Sequence, residues 1–207
     1  MAIELVQTEG VFALDGGEWE VTNNVWLVGD DREVLVVDAA HDARAIADAV
    51  NGRSVTAIAL THGHNDHINA AAALQDLVDA PVLLHPADRM LWDVVYPDRA
   101  PDGELADGQT IAAGGTALGV LSTPGHSPGC CCFLDDGGGH LYSGDTLFCG
   151  GPGATGRSFS DFPTIIASIR EQLLTLPPET VVHTGHGDST TIGAEAPDLE
   201  EWLRRGH

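Results

Sequence analysis

A cluster of metal-ligand side chains at residues 62–67 constrains the fold more than any other feature of the sequence. The segment Thr61-His62-Gly63-His64-Asn65-Asp66-His67 holds three imidazoles and one carboxylate. The apolar run Val55–Leu60 precedes it, and an apolar pattern of helical period, Ile68–Val78, follows it. Side chains on a turn between a strand and a helix can converge on one point, whereas a continuous helix would spread them around its axis. Imidazole and carboxylate are ligands of zinc, iron and manganese, so we expect a metal centre at the end of this strand.

Three later residues repeat this placement at the ends of predicted strands. His126 lies in the turn Thr123-Pro124-Gly125-His126-Ser127-Pro128-Gly129, Asp145 follows the strand His140–Ser143, and His186 follows the strand Val181–Thr184. Judged alone, each could be an ordinary turn residue or helix cap. His183 lies on the last strand itself, and we expect it to pack within the sheet rather than bind metal.

If these strand ends meet at one edge, the metal ligands divide into two sets that share a carboxylate. Such a composition can hold two divalent cations ~3.5–4 Å apart. The predicted metal ligands are His62, His64, Asp66, His67, His126, Asp145 and His186.

The order of strands and helices predicts a mixed α/β fold in one domain over residues 1–207. An antiparallel hairpin is predicted at Val25–Val28 and Val34–Val37, a helix at Ala43–Val50, and a helix at Pro163–Leu176 with Asp161 near its start. Tyr96–Gly108 is predicted to be a loop. Short strands joined by hairpins or single helices suggest two sheets packed face to face with helices outside.

The charge of the chain bears on its partners. The net charge is −22, and the chain contains no Lys, so we do not expect a nucleic acid partner. No apolar run approaches the ~20 residues of a membrane span, and the N-terminus lacks the basic start of a signal peptide. We therefore expect a cytoplasmic protein that acts on a small molecule. The oligomeric state stays open.

The four cysteines do not form the pattern of a disulfide framework. Cys130, Cys131 and Cys132 are consecutive, and Cys149 lies close to Asp145. We expect the three consecutive thiols to be buried and reduced, with Cys131 facing the opposite side from its neighbours. Cys149 is the candidate for a different role.

The motifs in this order resemble the metallo-β-lactamase superfamily. Thr-His-x-His-x-Asp-His, Thr-Pro-Gly-His, Ser-Gly-Asp-Thr-Leu-Phe and Gly-His-Gly follow one another over nearly the whole chain. The resemblance implies an αββα sandwich with two metal ions at one edge. Within the superfamily, the chain looks most like the short bacterial glyoxalase II-type thioesterases.

The resemblance also implies a role for each candidate residue. His62, His64 and His126 would bind the first metal ion, Asp66, His67 and His186 would bind the second, and Asp145 would bridge them. Asp38 would support the site from behind the ligands, and Arg157 corresponds to an Arg that follows the Gly-rich loop of the family.

This resemblance favours a metal-dependent hydrolase that cleaves a thioester of a small cellular thiol, such as a hydroxyacyl or formyl thioester. A metal-bridging hydroxide would attack the carbonyl, with Asp66 and Asp145 as the catalytic carboxylates. Zinc is the expected metal, with iron and manganese as alternatives. Other functions remain open, namely a lactonase and a persulfide dioxygenase with one iron on His62, His126 and Asp145. The thiol is also open, with glutathione and mycothiol as candidates.

The substrate pocket is expected beside Asp145. We place it between the loops Gly150–Ser160 and Trp92–Gly103, with Trp92 and Tyr96 in its lining. Arg157 is the candidate for binding a substrate carboxylate, since a guanidinium pairs with such a group through two hydrogen bonds.

Overall fold

Two six-stranded sheets form the centre of the fold in the computed structural model, which describes residues 1–206. The first sheet contains, side by side, β1 (Ala2–Leu14), β2 (Gly17–Gly29), β3 (Glu33–Val37), β4 (Ser54–Ala59), β5 (Val82–Leu84) and β6 (Gly103–Glu104). The strands that follow in the chain are β7 (Thr110–Ala112), β8 (Ala117–Ser122), β9 (Cys131–Asp135), β10 (His140–Gly144), β11 (Leu147–Phe148), β12 (Gly151–Pro152), β13 (Val181–Thr184) and β14 (Thr190–Thr191). The second sheet has the order β14-β13-β10-β9-β8-β7, and β11 and β12 form a separate two-stranded ribbon.

Helices cover the outer faces of both sheets. They are α1 (Ala43–Val50), α2 (Asn65–Ile68), α3 (Ala71–Val78), α4 (Arg89–Val95), α5 (Phe162–Ser168), α6 (Ile192–Glu195) and α7 (Leu199–Arg205). One apolar core lies between the first sheet and its helices, one between the two sheets, and one between the second sheet and its helices. The predicted αββα sandwich is therefore confirmed.

The parallel strands of the first sheet follow from their sequence. Val34–Val37 is apolar throughout and fully buried, as expected for a strand covered on both faces. It pairs in parallel with β4, and helix α1 forms the crossover between them. Asp42 caps that helix by accepting hydrogen bonds from the backbone N–H groups of Arg44 and Ala45. Consequently the chain reaches the same edge of the sheet at the end of each parallel strand.

Two helices differ from the sequence prediction. The helix expected at Ile68–Val78 is broken into α2 and α3, so Asp66 and His67 lie within the first short helix rather than on a turn before it. The helix expected at Pro163–Leu176 begins under the cap of Asp161, but after α5 it continues as a π-helical turn over Ile169–Leu173. In addition, the loop expected at Tyr96–Gly108 contains the short strand β6.

The long hairpin β1–β2 was not predicted over most of its length. Its two strands pair from Ala2 with Gly29 to Leu14 with Gly17. The turn residues Asp15 and Gly16 both have positive φ, 53° and 76°, as a type I′ turn requires. Among the helices of residues 1–206, none is both long enough and apolar enough to cross a membrane.

Candidate metal centre

Four strand ends place the predicted ligands at one edge of the sandwich. The segment after β4 carries the cluster at residues 62–67, and the loops after β8, β10 and β13 carry His126, Asp145 and His186. Asp38 follows β3 at the same edge. The structure thus brings together all of the side chains that the sequence singled out as ligands.

The first set contains His62, His64 and His126. His64 Nδ1 lies 3.0 Å from His62 Nε2 and 3.0 Å from His126 Nε2. All three side chains are buried. Three ring nitrogens that face one another at this spacing can coordinate a single cation.

The second set contains Asp66, His67 and His186. His67 Nε2 lies 3.1 Å from His186 Nε2, and Asp66 Oδ2 lies 3.3 Å from the same His186 nitrogen. Asp66 and His67 are buried, whereas the side chain of His186 is 24% exposed. This set can coordinate a second cation. Of its three residues, His186 is the one that solvent reaches.

Asp145 lies between the two sets. Its Oδ1 is 3.3 Å from His67 Nε2, and its Oδ2 is 3.6 Å from His126 Nε2. Gly185 leaves the space that this carboxylate occupies, because a Cβ on Gly185 would lie 2.3 Å from Asp145 Oδ1. The arrangement suits a carboxylate that bridges two ions.

In each imidazole, the ring nitrogen that points away from the centre determines whether the nitrogen that faces the centre can bind a cation. His126 Nδ1 lies 2.8 Å from the carbonyl oxygen of Ala154, and His186 Nδ1 lies 2.8 Å from that of Thr22. A carbonyl oxygen only accepts, so both Nδ1 atoms carry a proton and donate it. In the neutral ring, Nε2 then presents a lone pair toward the centre, which is the usual state of a metal-binding histidine.

Asp38 and Thr61 orient two further imidazoles. His67 Nδ1 donates to Asp38 Oδ2 over 2.9 Å, and the hydroxyl of Thr61 donates to the same carboxylate. Because the Thr61 hydroxyl proton is used there, Thr61 Oγ1 accepts from His62 Nδ1 at 3.0 Å. In their neutral forms, His62 and His67 therefore also direct the lone pair of Nε2 inward. Asp38 occupies the supporting position that the resemblance implied.

The polar atoms at the centre are placed to bind a cation rather than to hydrogen-bond with one another. The lone pairs of His67 Nε2 and His186 Nε2 face each other, an arrangement that requires a proton or a metal ion between them. Asp66 Oδ1 and Asp145 Oδ1 are buried and accept no hydrogen bond. A buried carboxylate oxygen without a partner is costly, and a bound cation removes that cost.

The pKa values differ between the two sets. Burial lowers the pKa of His64 to about 3, and the adjacent imidazole of His126 acts in the same direction. Burial likewise lowers the pKa of His62 well below its usual value. Burial also disfavours the charged form of His67, but the carboxylates of Asp145, Asp66 and Asp38 outweigh it and raise the pKa of His67 well above its usual value. His62 and His64 are therefore neutral at pH 7, whereas His67 attracts positive charge.

A chain of hydrogen bonds that the sequence did not reveal supports Asp66. Asn69 Nδ2 donates to His41 Nδ1 over 2.9 Å, which leaves the His41 proton on Nε2. His41 Nε2 then donates to Asn23 Oδ1 over 2.9 Å, and Asn23 Nδ2 donates to Asp66 Oδ2 over 3.0 Å. The direction of every bond in this chain is consistent, so Asn23 presents a donor to the carboxylate and fixes its orientation.

Asp88 ties together the two loops that carry the first set. Its carboxylate accepts from the backbone N–H of Gly63 at 2.7 Å and from that of Gly129 at 2.6 Å. The hydroxyl of Ser127 donates to it at 2.6 Å. Burial raises the pKa of Asp88, and these hydrogen bonds oppose the rise. The sequence contains no motif around Asp88 that signals this role.

A cavity of about 300 Å³ opens above the centre. Arg157 lines it, as do Ser158 and Ser160, so one wall is the predicted Gly150–Ser160 loop. The other wall is the β1–β2 hairpin, which supplies Phe12 and Trp19. Arg157 lies over this hairpin, with its Cζ 3.7 Å from the ring centroid of Trp19.

The prediction that Trp92, Tyr96 and their loop line the pocket is wrong. Trp92 is buried and donates from Nε1 to the carbonyl of Arg99, and the Tyr96 hydroxyl donates to the carbonyl of Ile68 at 2.8 Å. Both rings pack in the core between the first sheet and its helices. The hairpin that takes their place has a sequence signal, namely Asp15-Gly16 between alternating apolar residues.

The remaining predictions for individual side chains agree with the structure. His183 is buried in the second sheet, where it stacks on Tyr142 and lies 3.0 Å from His140. Cys130, Cys131 and Cys132 are buried free thiols, and Cys149 is exposed. Cys131 packs between the sheets, while Cys132 packs against the outer helices.

A sequence profile of the metallo-β-lactamase superfamily matches residues 19–186. The chain is 33% identical over 187 residues to the probable metallo-hydrolase YqgX of Bacillus subtilis strain 168, covering 84% of this chain and 88% of that one. It is 29% identical over 184 residues to the hydroxyacylglutathione hydrolase GloC of Haemophilus influenzae, covering 80% and 85%.

Solved structures show the same architecture. The BLEG-1 B3 metallo-β-lactamase superimposes with a TM-score of 0.78 at 30% identity, covering 92% of this chain and 97% of that one. TTHA1623 in a di-iron-bound form superimposes with a TM-score of 0.74 at 35% identity, covering 85% and 93%.

Proposed function

The chain belongs to the metallo-β-lactamase superfamily, and we propose that it is a dinuclear metallohydrolase that cleaves thioesters of a small cellular thiol. His62, His64 and His126 would bind one ion, Asp66, His67 and His186 would bind the other, and Asp145 would lie between them. A cytoplasmic location and the absence of a nucleic acid partner belong to the same proposal, the latter because the net charge of −22 repels polyanions.

The observation that carries the proposal is the completeness of the second set. In the dioxygenase alternative, a single iron binds to His62, His126 and Asp145. The second set, Asp66, His67 and His186, would then have no metal ion to bind. Yet His67 is oriented by Asp38, and Asp66 is oriented by Asn23. Buried groups that are individually aligned toward an empty point are costly, so this arrangement favours two ions.

Two divalent cations held by these residues would lower the pKa of water and polarise the carbonyl oxygen of the substrate. The protein side chains would orient the attacking water. Asp66 Oδ1 is free to accept a hydrogen bond from the attacking water and so to orient it. The leaving thiolate has a conjugate-acid pKa of ~8.5, so it departs without a general acid. Apart from the proposed metal ligands, the side chains that line the cavity within residues 1–206 include no carboxyl or imidazole group.

Arg157 is proposed to bind a polar group of the thiol portion at the mouth of the cavity. Within residues 1–206 its guanidinium makes no hydrogen bond or ion pair. It stacks on Trp19 and Phe12 and interacts electrostatically with Asp15. Stacking fixes the plane of the guanidinium and leaves its N–H edges available. Replacing Arg157 with Ala should raise KM about tenfold with little change in kcat. Arg44→Ala, on the exposed face of α1, is the matched control.

The relatives support the proposal. GloC is named as a hydroxyacylglutathione hydrolase, and YqgX is named as a probable metallo-hydrolase. We propose zinc as the metal, with iron and manganese as the alternatives; the similar structure of TTHA1623 holds two irons.

The test is a substrate panel with a direct assay for each reaction class. The protein is loaded in turn with zinc, iron or manganese and offered lactoyl and formyl thioesters of glutathione and of mycothiol, a lactone and a β-lactam, while free thiol release is followed. A persulfide is offered in parallel with an oxygen electrode. Thioester cleavage with two ions bound supports the proposal, whereas oxygen consumption with one iron bound replaces it with the dioxygenase.

A further inference from the structure

The outer half of the β1–β2 hairpin has one apolar face and one acidic face. Phe12 pairs directly with Trp19, and Leu14 and Val21 lie two residues along on the same side. The opposite side carries Glu18 and Glu20, which are exposed to solvent. A hairpin with one apolar face normally packs that face against the apolar core of the protein.

Here the apolar face packs on no core. None of the three apolar cores within residues 1–206 includes Phe12, Leu14, Trp19 or Val21. These side chains instead line the 300 Å³ cavity above the metal centre, and Trp19 is 40% exposed. An apolar surface that faces a solvent-accessible cavity marks a ligand-binding groove.

The metal centre forms the floor of this cavity. The Phe12 ring centroid lies 5.3 Å from that of His64, which belongs to the first ligand set. Phe148 also lines the cavity, and its ring lies 6.2 Å from that of His186, which belongs to the second. A group attached to a carbonyl over the metal pair would therefore lie between Phe12 and Phe148.

We propose that this cavity binds the acyl group of the substrate, and that the preferred substrates are thioesters of short aliphatic or aromatic acids rather than of small hydroxy acids. The inference rests on the proposed thioesterase function. Cellular thiols carry their sulfur on hydroxylated or charged skeletons, so the apolar part of such a substrate is its acyl group. The volume is at the lower end of the ~300–1,000 Å³ of small-molecule sites, which suits a short chain or a phenyl ring.

The size of the preference follows from the burial of apolar surface. Each methylene that enters the cavity should raise kcat/KM about fourfold until the cavity is full. A hydroxyl on the acyl chain should lower it where the chain lies against Phe12, Trp19 and Phe148, because these rings do not replace the hydrogen bonds that the hydroxyl makes to water. Propionyl and lactoyl thioesters differ only by that hydroxyl and form a matched pair.

The experiment uses acetyl, propionyl, lactoyl, butyryl and hexanoyl thioesters of one thiol with the metal-loaded protein. Each kcat/KM is divided by the rate of hydrolysis by hydroxide alone, which removes the intrinsic reactivity of the carbonyl. We expect a rise of about fourfold per methylene from acetyl to butyryl and a lower value for lactoyl than for propionyl. A flat or falling series, or a preference for lactoyl, would overturn the inference and leave the thioesterase function intact.

Two phenylalanines provide the variant and its control. Phe148→Ala removes part of the cavity lining and should lower the value for the hexanoyl thioester about tenfold relative to that for the acetyl thioester. Phe159→Ala removes an exposed ring that does not line the cavity and should change neither. Metal content is measured for both, and Leu14→Ala replaces Phe148→Ala if that variant loses metal. Equal effects of the two phenylalanine substitutions on the hexanoyl thioester would overturn the inference.

A binding measurement separates the inference from the proposed function. Ketone analogues, in which a methylene replaces the thioester sulfur, are titrated into the metal-loaded protein by calorimetry. Tighter binding of the hexanoyl analogue, with a negative heat-capacity change, supports the acyl site even if no thioester is cleaved. Chain-length-independent binding contradicts the acyl site, whatever the activity.

Discussion

Replacing Asp88 with Asn tests whether this carboxylate ties together the loops of the first ligand set. Asp88 Oδ2 accepts from the Gly63 N–H and the Ser127 hydroxyl, and Oδ1 accepts from the Gly129 N–H. In the Asp88→Asn variant an NH₂ group at the Oδ2 position can donate to Ser127 Oγ, but the Gly63 N–H then loses its acceptor in a fully buried site. The remaining bonds become neutral rather than charge-assisted.

The expected cost follows from these bonds. A hydrogen bond to a charged group contributes about 1.5–3 kcal/mol, and a buried donor without a partner costs about 1–3 kcal/mol. Because the new NH₂ group can still donate to Ser127 Oγ, we expect a loss near the lower part of the sum, about 3 kcal/mol. For a chain of this length, that corresponds to a fall in Tm of about 6–12 °C.

The assay is unfolding of the metal-free protein at about pH 8 by heat and by urea, followed by metal titration. Metal affinity of the first set should also fall, since Gly63 lies between His62 and His64 and Gly129 lies near His126. Asp161→Asn is the matched control, because Asn caps a helix as well as Asp does and the change should stay within ~0.5 kcal/mol. If Asp88→Asn unfolds like Asp161→Asn and binds metal normally, the reasoning about Asp88 is refuted.

Three further predictions concern the centre itself. Asp145→Ala should retain at most one ion per chain by mass spectrometry and lose nearly all hydrolysis; two retained ions with full activity would contradict its bridging position. Asn23→Ala should weaken binding of the second ion about 10–100-fold in a chelator titration, because Asp66 loses its orienting donor; an unchanged affinity would contradict that role. Acidification should release the second ion first. Metal binding requires that the ligands lose their protons. The pKa of His67 is raised, whereas that of His64 is lowered to about 3, so the second set becomes protonated at a higher pH than the first. Metal content should then fall in two steps, and anomalous diffraction should find the retained ion at His64; simultaneous loss would contradict the pKa assignment.

The sequence predicted the site better than it predicted the pocket, for a physical reason. His62, His126 and His186 lie in short segments whose Gly and Pro residues and preceding strands are visible in the chain itself. Strand ends meet at one edge of a sheet, so their convergence follows from topology. The break after Ile68 was not predicted, because the apolar pattern of the helix continues through Asn69 and Ala70 without a Gly or Pro.

The pocket depends on contacts between segments far apart in the chain. Arg157 meets Trp19 from a distant part of the sequence, and nothing around either residue records the other. Asn23 and His41 support Asp66 in the same way, through side chains that have no motif. Only the Asp15-Gly16 turn gave a local signal for the hairpin, and it indicates the hairpin without showing which surface the apolar face covers.

The measurement that tests the central claim most directly is the rate of thioester hydrolysis as zinc is added to the metal-free protein. The rate should reach its maximum at two equivalents of zinc per chain and vanish when a chelator removes them, because both ligand sets are complete. A maximum at one equivalent, or two bound ions with no hydrolysis of any thioester, would contradict the claim that this chain is a dinuclear thioesterase.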